Sequence, residues 1–522
     1  MTFDPIEFEV FKNLFISIAE EMGVTLCRTA FSPNIKERLD YSCAIYDERG
    51  DTIAQGDHMP VHLGAMPLSV RAAIEKCRMT AGDMVVLNDP FEGGTHLPDI
   101  TLVAPVYLGR DRKPAFYVAN RAHHSDVGGM SPGSMPLATE LFQEGLIIPP
   151  VVLVSRHRVV EDVLRLILSN VRTPEEREGD LTAQIAANRV AERRLHEVVV
   201  KYGRRKVARY ARDIQDYTER IVRGTIAALP DGEYAYEDAL DDDGVSERPV
   251  RIRARVRIDG EVAEVDFADS DPETTGSVNA NYAISLSATL YAFRCLVPED
   301  VPYNAGVGRV VRVRAPEGTI VNARRPAAVA GGNVETSQRI TDVVLGALAR
   351  AIPERVPAAS QGTMNNVTLG GVDPRTGRRF AYYETIGGGM GGRNGLAGLS
   401  GVHTHMSNTR NTPVEAIEQY LPVRILRYAL RSGSGGKGRY SGGEGIIREY
   451  EVLCDTSVTI LSDRRRGRPY GACGGEAGEC GRNLLIRDGN EEPLPGKVQL
   501  RLRASDRLRI ETPGGGGYGV SG

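Results

Sequence analysis

Two copies of one spacing lie close together in this chain: His96-Leu97-Pro98-Asp99 and His123-His124-Ser125-Asp126. Each sets an imidazole three residues before a carboxylate, and each adjoins paired glycines, Gly93-Gly94 and Gly128-Gly129. Four of the nine histidines fall between residues 61 and 124. Neutral imidazole and carboxylate are the ligands of a borderline divalent cation, and three such groups with an open position make a catalytic centre. Zinc, manganese and iron all suit such a set. The competing reading is of two capped loops with solvent-facing histidines.

Further candidates surround these copies. Asp40 follows Arg38-Leu39 and precedes a strand-like run, as a fourth ligand, a base, or a turn carboxylate paired with Arg38. Asp57-His58 and His62 bracket Met59-Pro60-Val61, where either histidine could meet a substrate or cap a turn. His403 and His405 alternate and share a face if the chain is extended there. Asn408, Asn411 and Glu415 follow them, which suggests a polar wall lining a substrate site.

No nucleotide loop accompanies these residues. The run 433–438 ends Gly-Lys-Gly, with Arg431 where a phosphate loop needs its leading glycine. The run 387–392 fits GxGxxG literally, but the glycine-broken residues after it open no helix. The acidic run Asp241-Asp242-Asp243-Gly244 lacks a calcium-loop continuation and reads as a solvated loop. There is no GxSxG elbow, and no cysteine has the local signature of a nucleophile.

The positioning elements are legible from periodicity. Asp4-Pro5 opens a helix carrying Phe8, Phe11, Phe15, Ile18 and Met22 on one face, to about residue 27. Runs 41–46, 52–54, 84–88, 100–107 and 114–120 read as strands, with a turn at 109–112 and a helix at 68–77. Both HxxD copies therefore sit at strand ends, where sites are commonly built. Runs 181–200 and 206–229 predict a long helical hairpin broken near Tyr202-Gly203. Residues 251–267 predict a β-hairpin turning at Asp259-Gly260. Runs 281–296 and 337–351 read as helices, and 446–453, 457–461, 483–486 and 498–508 as strands. The expected class is α+β, with the metal residues near N-terminal strands, the helical hairpin, and a β-rich C-terminal part. The regions are expected at 1–175, 176–230, 231–430 and 431–522, the last glycine-rich.

Bulk properties restrict the function. The 522 residues carry 64 Lys+Arg against 68 Asp+Glu, so no basic excess calls for nucleic acid. The cluster Arg464-Arg465-Arg466, flanked by Asp463, suggests a solvated face or a carboxylate partner. Glycine supplies 58 residues, well above the usual ~7 %. Seven cysteines, widely spaced and without CxxC, argue against a disulfide scaffold. With no signal-like N-terminus and no long apolar run, a cytoplasmic protein without membrane attachment is expected.

Several longer runs resemble the hydantoinase B/oxoprolinase family. They are 37–43 (Glu-Arg-Leu-Asp-Tyr-Ser-Cys), 56–64 (Gly-Asp-His-Met-Pro-Val-His-Leu-Gly), Asn88-Asp89-Pro90 through Asp99, and 121–129 (Arg-Ala-His-His-Ser-Asp-Val-Gly-Gly). Gly332-Asn333-Val334-Glu335, Asn411-Thr412-Pro413-Val414-Glu415, 440–445 and the glycine-rich tail continue the resemblance in the same order. The family includes B subunits of ATP-dependent N-methylhydantoinases and lactamases, the C-terminal half of 5-oxoprolinase, and catalytic subunits of acetone and acetophenone carboxylases.

The resemblance implies a two-subunit machine, a heterotetramer or larger. An actin-like A-type subunit, carrying ATP and Mg, phosphorylates an amide or enol oxygen, and the B-type chain holds a divalent metal and completes the reaction. By resemblance the ligands are His96, Asp99 and His123. Asp126 would orient His123, and Asp40 and His124 join it as candidate catalytic residues. His58, His62, His403 and His405 are candidate substrate contacts. The expected reaction is hydrolysis of a cyclic amide such as a hydantoin, oxoproline or lactam. The alternatives are a ketone carboxylase subunit, which would turn over with bicarbonate, and a non-catalytic structural subunit, which would bind no metal.

Overall fold

The computed structural model describes residues 4–56, 58–109 and 111–521. Asp57 and, in the turn expected at 109–112, Arg110 lie outside the described residues. Helices and open sheets are mixed throughout, as an α+β chain requires.

The element that matters most is a seven-stranded antiparallel sheet. Its strands are β1 (Tyr41–Asp47), β2 (Thr52–Gln55), β3 (Met84–Leu87), β4 (Asp99–Val106), β5 (Phe116–His123), β6 (Val151–Ser155) and β7 (Arg158–Val159). They lie in the order β2-β1-β5-β4-β3-β6-β7. Successive side chains of a strand point to opposite faces, and here both faces are covered. Cys43, Ile45, Ile100, Leu102 and Val118 meet the N-terminal helix Pro5–Thr29 and the hairpin helices Pro174–Tyr202 and Arg204–Ala227. Ala44, Tyr46, Val103, Tyr117 and Ala119 meet Ala65–Lys76. Double burial explains why these strands read as near-continuous apolar runs.

The first hairpin helix begins at Pro174, seven residues before its apolar periodicity, because Thr173-Pro174 supplies a helix-opening pair and Pro fits the first turn. The helices join through Gly203, whose φ of 84° favours glycine. A four-stranded sheet follows, built on the hairpin Val250–Asp259/Val262–Asp266 and edged by Gly232–Leu240 and Val311–Arg314. Helices Tyr282–Arg294 and Ser337–Ala351 share one core with it.

Two expectations need correction. Residues 498–508 are two strands, not one. Lys497–Leu502 joins the sheet of Thr456–Leu461, and Arg507–Glu511 joins another between Gly445–Val452 and Arg482–Arg487. Asp506 makes the break, accepting from Arg503 N (2.8 Å) and from the Arg487 guanidinium. The acidic run is not a solvated loop: Asp241, Asp242 and Asp243 are all buried. Asp241 accepts from the backbone N–H groups of Arg465, Arg466 and Gly467, and Asp242 lies 3.3 Å from Lys497 Nζ. Burial of these carboxylates is compatible with folding because each has donors or a cation. Arg464 in turn pairs with Asp238 and Asp342, the carboxylate option for that cluster.

The glycines at 387–392, 433–445, 471–478 and 514–519 form one interlocked body. Gly515, Gly516 and Gly517 donate to Gly443, Ala359 and Glu476, while accepting from Gly436, Gly392 and Ala472. Rotation of the donors from neighbour to neighbour lets a side-chain-free extended chain bond on every side. A Cβ on Gly391 would lie 1.9 Å from Ala358 O, and one on Gly515 2.1 Å from Met390 O.

Candidate metal centre

The strand register builds this site. In the β4–β5 ladder Asp99 stands directly opposite His123. On the other side of β5, His123 N donates to the carbonyl of Asp40, just ahead of β1, at 3.0 Å. Asp40, His123 and Asp99 therefore occupy one row across three strands. His96 reaches the row from the turn before β4. That turn is pinned by Asn88, which donates to Leu97 O and Leu146 O and accepts from Ile148 N. Gly94 permits the tightness, since a Cβ there would lie 2.6 Å from Asn88 O.

His96, Asp99 and His123 are buried, with one ligand atom of each within 4.8 Å of the others. His96 Nε2 is 3.3 Å from Asp99 Oδ2, and His123 Nδ1 is 3.5 Å from Asp99 Oδ1. Two atoms sharing a cation with bonds near ~2.1 Å stand about 3.4 Å apart at tetrahedral angles. The donor set and its spacing thus fit a divalent metal. Burial opposes ionisation of Asp99, but the surrounding imidazoles, His96 first, outweigh it and hold the carboxyl well below its usual range. Burial pushes His123 down to about 3, leaving the ring neutral with a lone pair to give.

Other groups close the shell. His62, expected as a substrate contact or a turn cap, enters the cluster with Nε2 3.3 Å from Asp99 Oδ2 and Nδ1 2.8 Å from Ser42 Oγ. Thr95 Oγ1 donates to Asp99 Oδ2 at 2.7 Å. The Tyr383 ring stacks on His123 at 4.4 Å, and the Arg38 guanidinium lies 5.0 Å from the centre of the Tyr383 ring. Tyr383 OH donates to Asn366 Oδ1. Asn333, in the π-helical turn Gly332–Thr336, lies with Nδ2 3.1 Å from His96 Nε2, and its buried Oδ1 has no protein partner. The Asp40 carboxyl is pushed up to about 7 by burial, opposed by Arg38 at 3.8 Å and reinforced by Asp99.

The remaining candidates lie elsewhere. His124 turns the other way, its Nε2 2.9 Å from Gln184 Oε1 in the hairpin helix. Asp126 does not meet His123; it accepts from Arg172 Nη1 (2.8 Å) and Arg172 N (2.7 Å). Adjacent residues leaving a strand diverge, so one HxxD copy contributes its pair and the other only its first histidine. His58 packs on Tyr41 at 4.9 Å, with Nδ1 at Cys43 N. His403 and His405 line a cavity of about 970 Å³ outside the metal shell. Tyr383 carried no signal in the sequence, and Thr95 stood unremarked within the run 88–99 that resembles the family. Asn333 stood in a run quoted only for its resemblance.

The chain is 44% identical to an uncharacterized protein of Methanocaldococcus jannaschii, over 99% of this chain and 91% of that protein. It is 39% identical to 5-oxoprolinase 1 of Arabidopsis thaliana, over 99% of this chain but 42% of that enzyme, so it spans about two fifths of that relative's length. The crystal structure of the ATP-dependent caprolactamase from Pseudomonas jessenii superposes with a TM-score of 0.92 at 30% identity, covering 100% of this chain and 92% of that one. The family model for hydantoinase B/oxoprolinase matches residues 4–521. With essentially every described residue inside that match, the chain belongs to the hydantoinase B/oxoprolinase family.

Proposed function

We propose that this chain is the metal-holding, ring-opening part of an ATP-dependent cyclic amidohydrolase that works with a separate actin-like, ATP-binding A-type subunit. One observation carries the reading: two imidazoles and a carboxylate, buried, with one ligand atom of each within 4.8 Å of the others. Zinc, manganese and iron remain the metals such ligands suit. A cation held by His96, Asp99 and His123 would supply Lewis-acid polarisation of the carbonyl and a lowered pKa for water. The protein does the rest. Asp40, with its carboxyl near 7, is matched to holding or giving up a proton at neutral pH. Tyr383 and Arg38 fix the plane of the His123 ring, and Thr95 and His62 fix the Asp99 carboxylate. His403 and His405 would meet the substrate from the adjoining cavity.

The ATP step belongs to a partner because an amide is a poor electrophile until its oxygen is activated, and this chain has no phosphate loop. The caprolactamase relative is itself ATP-dependent, which supports an ATP-driven reaction here. Calorimetry on the chain by itself should register no appreciable ATP binding; tight binding would overturn the division of labour. Elemental analysis of carefully prepared protein should find about one divalent metal per chain. Protein without transition metal, and without gain of ring-opening turnover when metal and the ATP-binding partner are supplied, would overturn the metal reading.

A further inference from the structure

The cavity beside the metal centre has an uneven lining. Its wall includes Arg355, Arg393 and Arg410, together with His403, Thr404 and His405, and among the described residues no aspartate or glutamate lines it, the buried Asp342 lying behind His405 at 3.9 Å from Nε2. No ion pair engages the Arg393 or Arg410 side chain among the described residues, and both residues are exposed at the mouth. Arg355 is spent only on Leu296 O, at 3.2 Å. Deeper in, Thr404 is buried to 6% exposure and its Oγ1 has no partner among the described residues, while His403 Nδ1 is 3.1 Å from Ser407 Oγ. A buried polar atom without a partner is costly unless a ligand or water completes it. The inner wall abuts the metal shell: Arg410 N donates to Arg38 O at 2.9 Å, and Arg38 Nη2 reaches Thr409 Oγ1. Arg38 lies on the Tyr383 ring that stacks against His123.

We infer that this cavity is an oxyanion-binding antechamber, whose arginines and inner hydroxyl and imidazole groups seat a phosphate-bearing or carboxylate-bearing small molecule one layer from the metal. Arginine presents a planar fork suited to either anion, and arginines left without carboxylate partners at the mouth attract anions by their field. The assignment rests on reading His403 and His405 as substrate contacts, but not on the metal. Two anions would bear this chemistry, a phosphorylated substrate entering or a ring-opened carboxylate leaving.

The test uses the full chain and three probes, inorganic phosphate, phenylphosphonate and glutarate, titrated by calorimetry and ligand-observed NMR at fixed ionic strength. At least one probe should bind saturably. The Arg393→Gln/Arg410→Gln double variant should weaken it about tenfold or more, and Thr404→Val should weaken it without touching the mouth. Arg312→Gln, at an exposed arginine outside the lining of this cavity, should leave binding unchanged. Preference for phenylphosphonate assigns the site to the phosphorylated form, and preference for glutarate to the carboxylate. Metal content should survive the double variant, and probe binding should survive His96→Ala, so this inference and the metal reading fail separately. Absence of saturable binding of all three probes, or binding lost equally with Arg312→Gln, would overturn the antechamber.

Discussion

Alanine at His96, Asp99 or His123 is expected to strip the divalent metal and abolish ring-opening turnover. Each removes one of the three proposed protein ligands. The loss of affinity should exceed the ~10–100-fold typical of groups that only support a ligand. The positions are buried, so circular dichroism and thermal unfolding must accompany the metal assay, and Asp99→Asn offers a variant of equal volume. His124→Ala is the internal control. Its side chain faces Gln184 and the hairpin helix, so it should cost some stability and keep the metal. Metal lost with His124→Ala and kept with His123→Ala would place the second ligand one residue away. Metal kept by all three ligand variants would make the constellation structural and remove the proposed chemistry.

Gly391→Ala and Gly515→Ala should be among the most destabilising single-atom additions available to this protein. The added methyl would meet backbone carbonyl oxygens at 1.9 and 2.1 Å, where no rotamer change relieves the clash. Insertion into well-packed interiors ordinarily costs about 1–3 kcal/mol. Displacing backbone that is bonded on several sides should cost at least the upper part of that range. The readout is the midpoint of urea unfolding, or loss of soluble folded protein. Gly224→Ala, in the helix Arg204–Ala227 with nothing within 4 Å of the new methyl, should change sign. It is expected to stabilise by about 0.5–1 kcal/mol. Equal effects at 224 and 515 would deny the glycine body its packing role.

The parts of the site legible in the sequence are those fixed by local pattern. Glycine turns and apolar runs located β4 and β5, and the HxxD spacing located His96 and Asp99 on one turn. The choice of His123 over its neighbour came from the resemblance and its HxxD-Val-Gly-Gly spacing, and the strand register gives it a physical basis by setting His123 opposite Asp99. Asn333 and Tyr383 were illegible as partners because their contacts with the histidines span more than 200 residues of chain. The Asp241–Asp243 run was misread for a related reason. Three consecutive acids look hydrated until Lys497 and the N–H groups of 465–467 arrive to bury them. At 498–508 the alternating pattern persists across a sharp turn, so periodicity alone could not see the chain change sheets.

The ladder between β4 and β5 separates two variables that are usually coupled. Asp99 and His123 sit at the open end of this hairpin, and the connection at 107–115 closes the other end, beyond the Val106–Phe116 pair. Residues added to that connection lengthen a loop without altering which side chains stand opposite. A single residue added inside either strand would turn the following side chains to the other face. The hairpin is therefore permissive to insertion at its tip and intolerant along its arms, so a tag or reporter belongs at the tip.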